Sequence, residues 1–579
     1  MDVRRILLVA LAAAVAAPFA SADWASFHND SRNTGSVSPS DYEVYTDVWW
    51  SNRTLDGAKI SASLVLKDGR LITADEKGLV RALDAESGRE LWRYKMADQV
   101  VGTPAIEGDL VFVIDIKGNL KGLDLRNGAV ERSIAVGATR AAPTIHEGKL
   151  FIGTEAGDMK AYLTSDPLTL LWSFKTTEAR AASATNPDTG AVTCSLPHPQ
   201  GAVRMPAAVF DQKVFFGSLN HYVYAVNANG LGNGKTTIEW THKTDHVVVA
   251  APTINIQSSS TQRVVFGSQD GKLYSFNPSP FGSGSDPCYG AANSPSWTYQ
   301  VPSIVDGSTG ESQVSSIESS PASVSDKVFV GANNGFIYAI QASNGQKVWD
   351  KQIGNSLAPV KSSPAVANGH VIVGSGDKNV YWLNANDGTV EKQFSAESAV
   401  STSPAIDGKR AFVAADEGTL YMFGPQLPPR PDLEVTGISH VPDGLQVRVR
   451  NGGDAASADT TIRLFDGGTF VANVNLSALN AGEERDVLWR GNVSVGSHEV
   501  RALVDPGNLV VESIESNNDR TETVEVAAPT TTPPPPEETD TETEDPPPRT
   551  TKKDEGIPGP GVALLLAGLA LVALRRRQP

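Results

Sequence analysis

Residues 319–349 read SSPASVSDKVFVGANNGFIYAIQASNGQKVW, and the order of motifs in this stretch recurs along the first 425 residues of the chain. Each copy passes from a Pro or Ser through a hydrophobic run, a turn and a second hydrophobic run to a glycine. Eight copies start near Ser63, Pro104, Pro143, Pro206, Pro252, Pro321, Pro364 and Pro404. A fixed period of about 40 residues indicates stacked supersecondary units, because one unit cannot bury its apolar face alone.

Within each copy, short runs rich in Val, Phe, Tyr and Ile are bounded by turns such as Asp270-Gly271 and Asn334-Gly335. Alternating apolar residues favour strands, and Gly and Asn tolerate the positive φ of tight hairpin turns. Each copy therefore predicts a four-stranded antiparallel meander. Eight such meanders predict an all-β, eight-bladed β-propeller over residues 23–425, an architecture that leaves little open sheet edge.

The two ends of the repeat region predict how the ring closes. The last copy stops at residues 420–424 without an outer strand, and an isolated Val48-Trp49-Trp50 run precedes the first copy. We expect this N-terminal run to supply the outer strand of the eighth blade. The alternative is an N-terminal arm unrelated to the ring.

Residues 82–92, ALDAESGRELW, resemble the tryptophan-docking repeat of pyrroloquinoline quinone (PQQ) propellers, and residues 23–30, DWASFHND, look like the start of such proteins. The resemblance covers residues 23–425 and implies the quinoprotein alcohol dehydrogenase-like fold. Looser copies of the repeat end at Trp172, Trp240, Trp297 and Trp349, whereas Arg132 and Lys392 replace Trp in two copies. We expect the repeated Trp residues to pack between blades, and Trp382, which lies off that register, to belong to the core rather than to a binding surface.

The same resemblance allows the chain to be checked for the site residues of PQQ enzymes. PQQ dehydrogenases carry an adjacent pair of cysteines and hold Ca²⁺, whereas the two cysteines of this chain, Cys194 and Cys288, lie far apart. The nine histidines are scattered; His242 and His246 are close in sequence but predict no metal site. We therefore assign no catalytic, cofactor-binding or metal-binding residue and expect no cofactor.

A similarity to BamB-like scaffold propellers implies a non-enzymatic scaffold that binds protein partners or envelope components through its loops. The insertions at 173–203 and 277–318 are the longest and are the expected contact surfaces. Two alternatives are a PQQ-dependent dehydrogenase and an adhesion protein that binds carbohydrate or cell wall, with surface glycans as its partners.

Residues 431–526 form a second module whose alternating runs and closely spaced turns predict an immunoglobulin-like β-sandwich. Its motifs resemble the CARDB family of extracellular adhesion-type modules. Acidic and amide residues near its end, Glu512, Glu515, Asn517 and Asn518, are expected to be turn caps and exposed loop residues, with a cation site as the alternative.

The remaining segments predict export and anchoring. Residues 1–22 have the charged start, apolar core and small-residue cleavage site of a signal peptide. Residues 527–556 are rich in Thr, Pro and acids and predict an extended stalk. Residues 557–579 end in an apolar run and three arginines and resemble the PGF-CTERM sorting signals of archaeal surface proteins, with a simple transmembrane tail as the alternative. We expect an extracellular protein anchored to the cytoplasmic membrane by its C-terminus.

Charge and export limit the remaining possibilities. A formal net charge of −17 argues against nucleic acid as a partner, since phosphate binding needs clustered Lys and Arg. Export permits a disulfide between the two cysteines, although two separate thiols remain the alternative. Four Asn-x-Ser/Thr sequons, at Asn29, Asn52, Asn475 and Asn492, are candidate glycosylation sites.

Overall fold

The computed structural model describes residues 23–527 except 38–41, 46–47, 55–56, 179–181, 186–191, 195–197, 259–260, 280–290, 306–311, 356–357, 426–428, 508, 511 and 513–516. The predicted signal peptide, stalk and C-terminal segment, together with Cys288 and Glu515, lie outside the described residues, as does the side chain of Cys194. No helix within the described part of the chain is long and apolar enough to cross a bilayer.

Two short strands, β1 (Ser36–Val37) and β2 (Val48–Arg53), precede the first blade. Blades one and two contain β3 (Val65–Lys67), β4 (Arg70–Ala74), β5 (Leu79–Asp84), β6 (Glu90–Lys95), β7 (Ala105–Glu107), β8 (Leu110–Ile114), β9 (Asn119–Asp124) and β10 (Val130–Ala135). Blade three contains β11 (Thr144–His146), β12 (Lys149–Gly153), β13 (Asp158–Leu163) and β14 (Thr169–Lys175). A 3₁₀ turn (Thr176–Glu178) and the hairpin β15 (Ala182–Thr185) and β16 (Val192–Cys194) follow it.

Blade four contains β17 (Ala208–Phe210), β18 (Lys213–Gly217), β19 (Tyr222–Asn227) and β20 (Ile238–Lys243). Blade five contains β21 (Thr253–Ser258), β22 (Thr261–Gly267), β23 (Lys272–Phe276) and β25 (Trp297–Gln300), with β24 (Ala291–Ala292) in its long third turn. The hairpin β26 (Ile304–Val305) and β27 (Ser312–Gln313) leads to blade six. Blade six contains β28 (Ala322–Val324), β29 (Lys327–Gly331), β30 (Phe336–Gln341) and β31 (Lys347–Gln352).

Blade seven contains β32 (Ala365–Ala367), β33 (His370–Gly374), β34 (Asn379–Asn384) and β35 (Val390–Ser395). Blade eight contains β36 (Ala405–Asp407), β37 (Arg410–Ala414) and β38 (Thr419–Phe423). The prediction of eight four-stranded blades is therefore confirmed, and their hydrogen-bonded order is the antiparallel meander inferred from the repeat. The second strands are almost continuously buried because each sheet is covered on both faces by its neighbours.

Strand β2 closes the ring. It pairs antiparallel with β38, with Ser51 opposite Tyr421 and Arg53 opposite Thr419, and so supplies the fourth strand of blade eight. The prediction made from the isolated Val48-Trp49-Trp50 run is confirmed. The first and last repeats are consequently held in one sheet by backbone hydrogen bonds.

The repeated tryptophans connect neighbouring blades. Trp349 packs on Gly388 of the next blade, where a Cβ atom would lie 2.6 Å from the indole Cε3, and its Nε1–H donates to the carbonyl of Ala385 at 3.2 Å. Equivalent indole-to-carbonyl bonds are made by Trp50, Trp92, Trp172, Trp240 and Trp297. Where Arg132 replaces Trp, its Nε–H donates to the carbonyl of Thr164 at 3.3 Å and keeps the contact between blades.

Trp382 is fully buried and donates its Nε1–H to Tyr42 Oη at 2.7 Å. It contacts Phe423 of blade eight edge to face, with ring centroids 5.1 Å apart. The prediction that Trp382 belongs to the core is confirmed.

The second module contains β39 (Leu433–Val441), β40 (Gly444–Asn451), β41 (Thr460–Asp466), β42 (Thr469–Leu476), β43 (Glu484–Arg490), β44 (Gly496–Val504) and β45 (Asp519–Val526). One sheet has the order β39-β40-β43 and the other β42-β41-β44-β45. Their facing apolar residues, among them Val449, Leu464 and Val500, form one buried core. This arrangement is the predicted immunoglobulin-like β-sandwich.

Six charged groups meet where the second module contacts blade one. Arg89 Nη1 lies 3.3 Å from Asp432 Oδ2 and 3.6 Å from Glu434 Oε2, and Arg430 Nη1 lies 3.5 Å from Glu86 Oε1. Arg450, on β40, places its Nη1 3.7 Å from Glu434 Oε1. Three cations thus face three carboxylates, and such a network orders a contact better than an isolated surface pair.

Candidate functional site: the centre of the ring and its crossover face

The residues that begin the described chain occupy the centre of the ring. Residues 24–35 run past the inner strands of the blades in chain order and hydrogen-bond to them. Backbone bonds join Trp24 with Leu66, Ala25 with Ile106, Ser31 with Val209, Arg32 with Ile254, Thr34 with Ser323 and Gly35 with Val366. For blade three the contact is through side chains, with Ser31 Oγ 3.0 Å from His146 Nδ1. Seven of the eight blades therefore contact this segment, which we call the hub segment.

Two residues of the hub segment, Asn33 and Gly35, have the backbone conformation and the small size that its confined position requires. Asn33 adopts a φ of 52° and its Nδ2–H groups donate to the carbonyls of Ala207 and Pro252, each at 3.0 Å. Gly35 adopts a φ of 60°, and a Cβ atom there would lie 2.8 Å from the Cβ of Ala322. Asn and Gly accept this left-handed backbone most readily, and only Gly fits against the neighbouring blade.

His28 is the buried histidine of the hub segment. Its ring is 1% exposed and stacks on Phe27 with centroids 4.5 Å apart. Burial lowers the pKa of His28 to about 3, so the imidazole is neutral at physiological pH. A neutral, stacked ring fills space between the blades and brings no charge to the centre of the ring.

Hydroxyl groups form a second layer of contacts around the centre. The backbone N–H of Ser320 donates to Ser363 Oγ at 2.9 Å, and the N–H of Ser63 donates to Thr103 Oγ1 at 3.0 Å. The N–H of Ser403 donates to Ser63 Oγ at 3.2 Å, which joins blade eight to blade one. These side chains are buried, so the crossovers between blades pack directly on one another.

The quinone implied by the fold family does not fit this centre. A planar cofactor needs an open cavity among the inner strands, and the hub segment with buried His28 and Asn33 occupies that space. The hydroxyls above it are bonded to neighbouring blades rather than left free for a ligand.

The two faces of the ring differ. In a meander the first and third turns lie on one face, while the second turn and the crossover to the next blade lie on the other, here called the crossover face. Asn368, in the first turn of blade seven, donates to the carbonyl of Tyr42 at 2.8 Å, which places this N-terminal stretch at the face opposite the crossover face.

Two added hairpins lie on the crossover face. The β15–β16 hairpin stands in the crossover from blade three to four, and β26–β27 stands in the crossover from blade five to six. The third-turn insertion of blade five lies on the other face, and its β24 adds a parallel strand beside β20, with Ala291 opposite Trp240. The predicted contact surface at 173–203 and 277–318 is thus divided between two faces.

An aromatic and histidine cluster joins the crossover after β16 to β19 of blade four. His198 stacks on Tyr222 with ring centroids 3.7 Å apart, and burial lowers the pKa of His198 to about 4. Asn220 Nδ2–H donates to Tyr224 Oη at 2.6 Å, which leaves the Tyr224 hydroxyl to donate to His198 Nδ1 at 3.1 Å. The neutral ring then carries its proton on Nε2, a buried donor that has no partner among the described residues.

The histidines that are close in sequence do not share a ligand position. His242 Nδ1 is bonded to the carbonyl of Asn293 at 2.9 Å, whereas His246 stacks on His221 with centroids 5.4 Å apart. Within the described ranges, no group of three His, Cys, Asp or Glu side chains is arranged to hold a metal ion.

The acidic and amide residues of the second module bind one another and the backbone. Glu512 Oε1 accepts from Asn518 Nδ2 at 3.0 Å, its other oxygen accepts from the N–H of Leu433, and Asn517 Nδ2 donates to Asp432 Oδ1 at 2.8 Å. These bonds tie the stretch before β45 to the start of β39. Glu512 and Asn518 are buried and Glu512 bonds to a distant strand, so they are internal links rather than the expected turn caps and exposed loop residues.

A serine, a histidine and an aspartate meet at one end of the second module. His498 Nδ1 lies 2.7 Å from Asp466 Oδ2, and Nε2 lies 3.2 Å from Ser494 Oγ but 2.9 Å from the Ser494 carbonyl. The hydrogen bond to Asp466 raises the pKa of His498. Nδ1 faces a carboxylate and Nε2 lies closer to a carbonyl than to the hydroxyl, so the ring is placed to donate to both and to link two loops rather than to take a proton from Ser494.

The chain was compared with known proteins and structures. The PQQ_2 family, described as outer membrane protein assembly factor BamB, matches residues 35–279, 172–362 and 337–426, and the CARDB family matches residues 431–522. A BamB of Nitrosomonas eutropha is 29% identical over 112 residues, covering 19% of this chain and 27% of that protein. A BamB of Shewanella oneidensis is 30% identical over 73 residues, covering 13% and 18%.

Among solved structures, the quinohemoprotein alcohol dehydrogenase of Comamonas testosteroni superposes with a TM-score of 0.54 at 12% identity. The superposition covers 73% of this chain and 83% of that enzyme. At this identity the likeness establishes the fold alone. The chain spans only about a quarter or less of the curated relatives it matches.

Proposed function

Because the chain belongs to the PQQ_2 family described as outer membrane protein assembly factor BamB and carries a CARDB domain, we propose that it is a non-enzymatic scaffold of the cell envelope or surface. It binds protein partners or envelope components through loops of the propeller. The observation that carries this proposal is the hub segment, which fills the centre of the ring with the chain's own residues.

Because the hub segment fills the centre of the ring, we assign partner binding to the loops on its rim and faces. The blades hold one another through Trp and hydroxyl contacts, so the loops they carry are presented on a rigid support. The crossover face carries both added hairpins and the cluster around His198 and Tyr222. The cluster is buried beneath this face and supports the loops above it, so the added hairpins are the elements that we expect to contact another protein.

The segments outside the ring complete the proposal. The second module contacts blade one through the ionic network and separates the ring from the C-terminal part of the chain. Residues 557–579 anchor the protein to the cytoplasmic membrane, and residues 527–556 hold the two domains away from it. Export places the propeller outside, where envelope partners are within reach.

The experiment removes each hairpin separately. Ala182 pairs with Cys194 across the first hairpin, so an Asn-Gly turn can replace residues 183–193 without moving the ends of the crossover. Ile304 pairs with Gln313 in the second, and the same turn can replace 305–312. As a control on the opposite face, Leu231, which is 57% exposed in the third turn of blade four, is changed to Ser.

Wild-type and variant proteins are used as bait in detergent extracts of the source membranes. We expect one or both hairpin deletions to lose partners that wild type and the Leu231 variant retain. Equal recovery by all four proteins would refute recognition by the crossover face. Addition of PQQ and Ca²⁺, followed by dye reduction with alcohols or sugars, tests the enzymatic alternative, and turnover would refute the scaffold.

A further inference from the structure

The four Asn-x-Ser/Thr sequons lie in very different surroundings. N-glycosylation joins the side-chain Nδ2 of Asn to the anomeric carbon of a sugar, so this nitrogen has to be free of other bonds and the new glycan needs open solvent beside it. A folded structure can satisfy these two conditions at some sequons and not at others. Asn29, Asn52, Asn475 and Asn492 can therefore be compared directly.

In both sequons of the propeller, the side-chain nitrogen of the Asn is already hydrogen-bonded. Asn29 belongs to the hub segment, has a φ of 76°, and donates from Nδ2 to the carbonyl of Ser36 at 2.7 Å. Asn52 lies on β2 and donates from Nδ2 to the carbonyl of Gly88 at 2.9 Å, while its Oδ1 accepts from Arg81 Nη1 at 3.0 Å. A glycan on either residue would have to break a contact that closes or fills the ring.

In both sequons of the second module, the Asn is exposed to solvent. Asn492 is exposed in the connection between β43 and β44, where the backbone belongs to no strand. Asn475 is exposed on β42, the edge strand of its sheet, with Thr461 as its only neighbour in the register. Neither side-chain amide has a hydrogen-bond partner among the described residues.

We propose that the second module is N-glycosylated at Asn492 and Asn475 and that the propeller sequons stay unmodified. The donor is a lipid-linked oligosaccharide supplied by a cellular oligosaccharyltransferase. Nδ2 forms a bond to the anomeric carbon, the bond from that carbon to the lipid phosphate oxygen breaks, the lipid phosphate leaves, and the amide proton passes to a base of the transferase. Asn492 is modified more completely because its backbone carries no ladder hydrogen bonds that hold it to a neighbouring strand.

This inference extends beyond the scaffold proposal, since a glycan on the second module requires no partner of the propeller. Its position has a physical consequence. Asn492 and Asn475 both lie on the module that links the ring to the C-terminal segments, so polar glycans would cover the linking module and leave the crossover face of the ring uncovered.

The test uses the full chain purified from its source cells and, in parallel, from a secretory host that has an oligosaccharyltransferase. Peptide N-glycosidase digestion in H₂¹⁸O converts each glycosylated Asn to ¹⁸O-labelled Asp, which peptide mass spectrometry locates. We expect label at Asn492 and Asn475 and none at Asn29 or Asn52. Asn492→Gln and Asn475→Gln should each remove one glycan from the intact mass, and the double variant should carry none.

Ser494→Ala provides a matched check, since it destroys the sequon and keeps Asn492. Loss of label at Asn492 in this variant supports enzymatic modification of the sequon. Label at Asn29 or Asn52 in the folded protein, or absence of label at Asn492 from both sources, would overturn the proposal. Either outcome leaves the partner-binding proposal standing, because that proposal is tested by the hairpin deletions.

Discussion

The hub segment can be tested at Asn33, whose side chain joins it to two blades. Asn33 is 2% exposed, and its Nδ2–H groups donate to the carbonyls of Ala207 and Pro252. Ala207 keeps a second bond from Thr144 Oγ1 at 2.8 Å when Asn33 is truncated, whereas the structure gives the Pro252 carbonyl no other donor among the described residues. Truncation therefore leaves one buried carbonyl unsatisfied and one with reduced bonding.

The size of the effect follows from these contacts. Each buried hydrogen bond contributes about 1 kcal/mol, and an unsatisfied carbonyl adds to the loss, so Asn33→Gly should lower the free energy of unfolding by about 2 kcal/mol. Asn33 has a φ of 52°, a conformation that costs Ala about 1 kcal/mol and Gly almost nothing. Asn33→Ala should therefore be destabilised by about 3 kcal/mol, and the difference between the two variants measures backbone strain.

The assay is urea unfolding followed by tryptophan fluorescence. Nine of the ten tryptophans lie within residues 23–425, and Trp489 alone belongs to the second module, so the signal reports the propeller. The midpoint should fall for Asn33→Gly and fall further for Asn33→Ala with an unchanged slope. Midpoints for both variants that equal wild type would refute the role assigned to the hub segment. Equal losses for the two would refute the strain argument alone.

Three further predictions concern a contact between blades, a contact within the second module and the contact between the two domains. Gly388→Ala should lose about 2 kcal/mol more than Gly369→Ala in urea unfolding, since both have positive φ but only the first meets a tryptophan ring. His498 has a raised pKa, so its stabilisation is complete below its ordinary pKa of 6.5 and is lost as pH rises through the folded value; His498→Gln should flatten this dependence in thermal melts. Arg89→Gln should widen the distribution of interdomain distances in small-angle X-ray scattering, whereas Arg126→Gln, at the equivalent turn of blade two, should not.

The blades could be predicted because every strand carries its own local signal. In β29 and β30 the hydrophobic runs and the Asn334-Gly335 turn between them specify the hairpin without reference to distant residues. Ring closure was predictable for a related reason, since the isolated Val48-Trp49-Trp50 run matched the strand missing from the last repeat. A repeat gives the observer several copies of one pattern, and an incomplete copy indicates what is missing.

The added strands carried no comparable signal. β24 contains two residues and pairs in parallel with β20, and the hairpins on the crossover face are two to four residues a strand. Runs this short show no periodicity that could distinguish a strand from a loop. Their length was visible as insertions, and the face of each insertion follows from whether it comes after a third or a fourth strand of its repeat.

The sequence did not predict the hub segment, although residues 23–30 resemble the start of known propellers, and the reason is physical. Its partners, from Leu66 to Val366, are spread over three hundred residues of chain, so no local pattern could reveal them. The same N-terminal stretch also supplies β2, which pairs with β38 of the last blade. One short stretch of chain thus fills the centre and closes the rim: the hub segment needs blades up to the seventh, and β2 needs the eighth. The ring is consequently closed only as a whole, which suits a rigid support for its crossover loops.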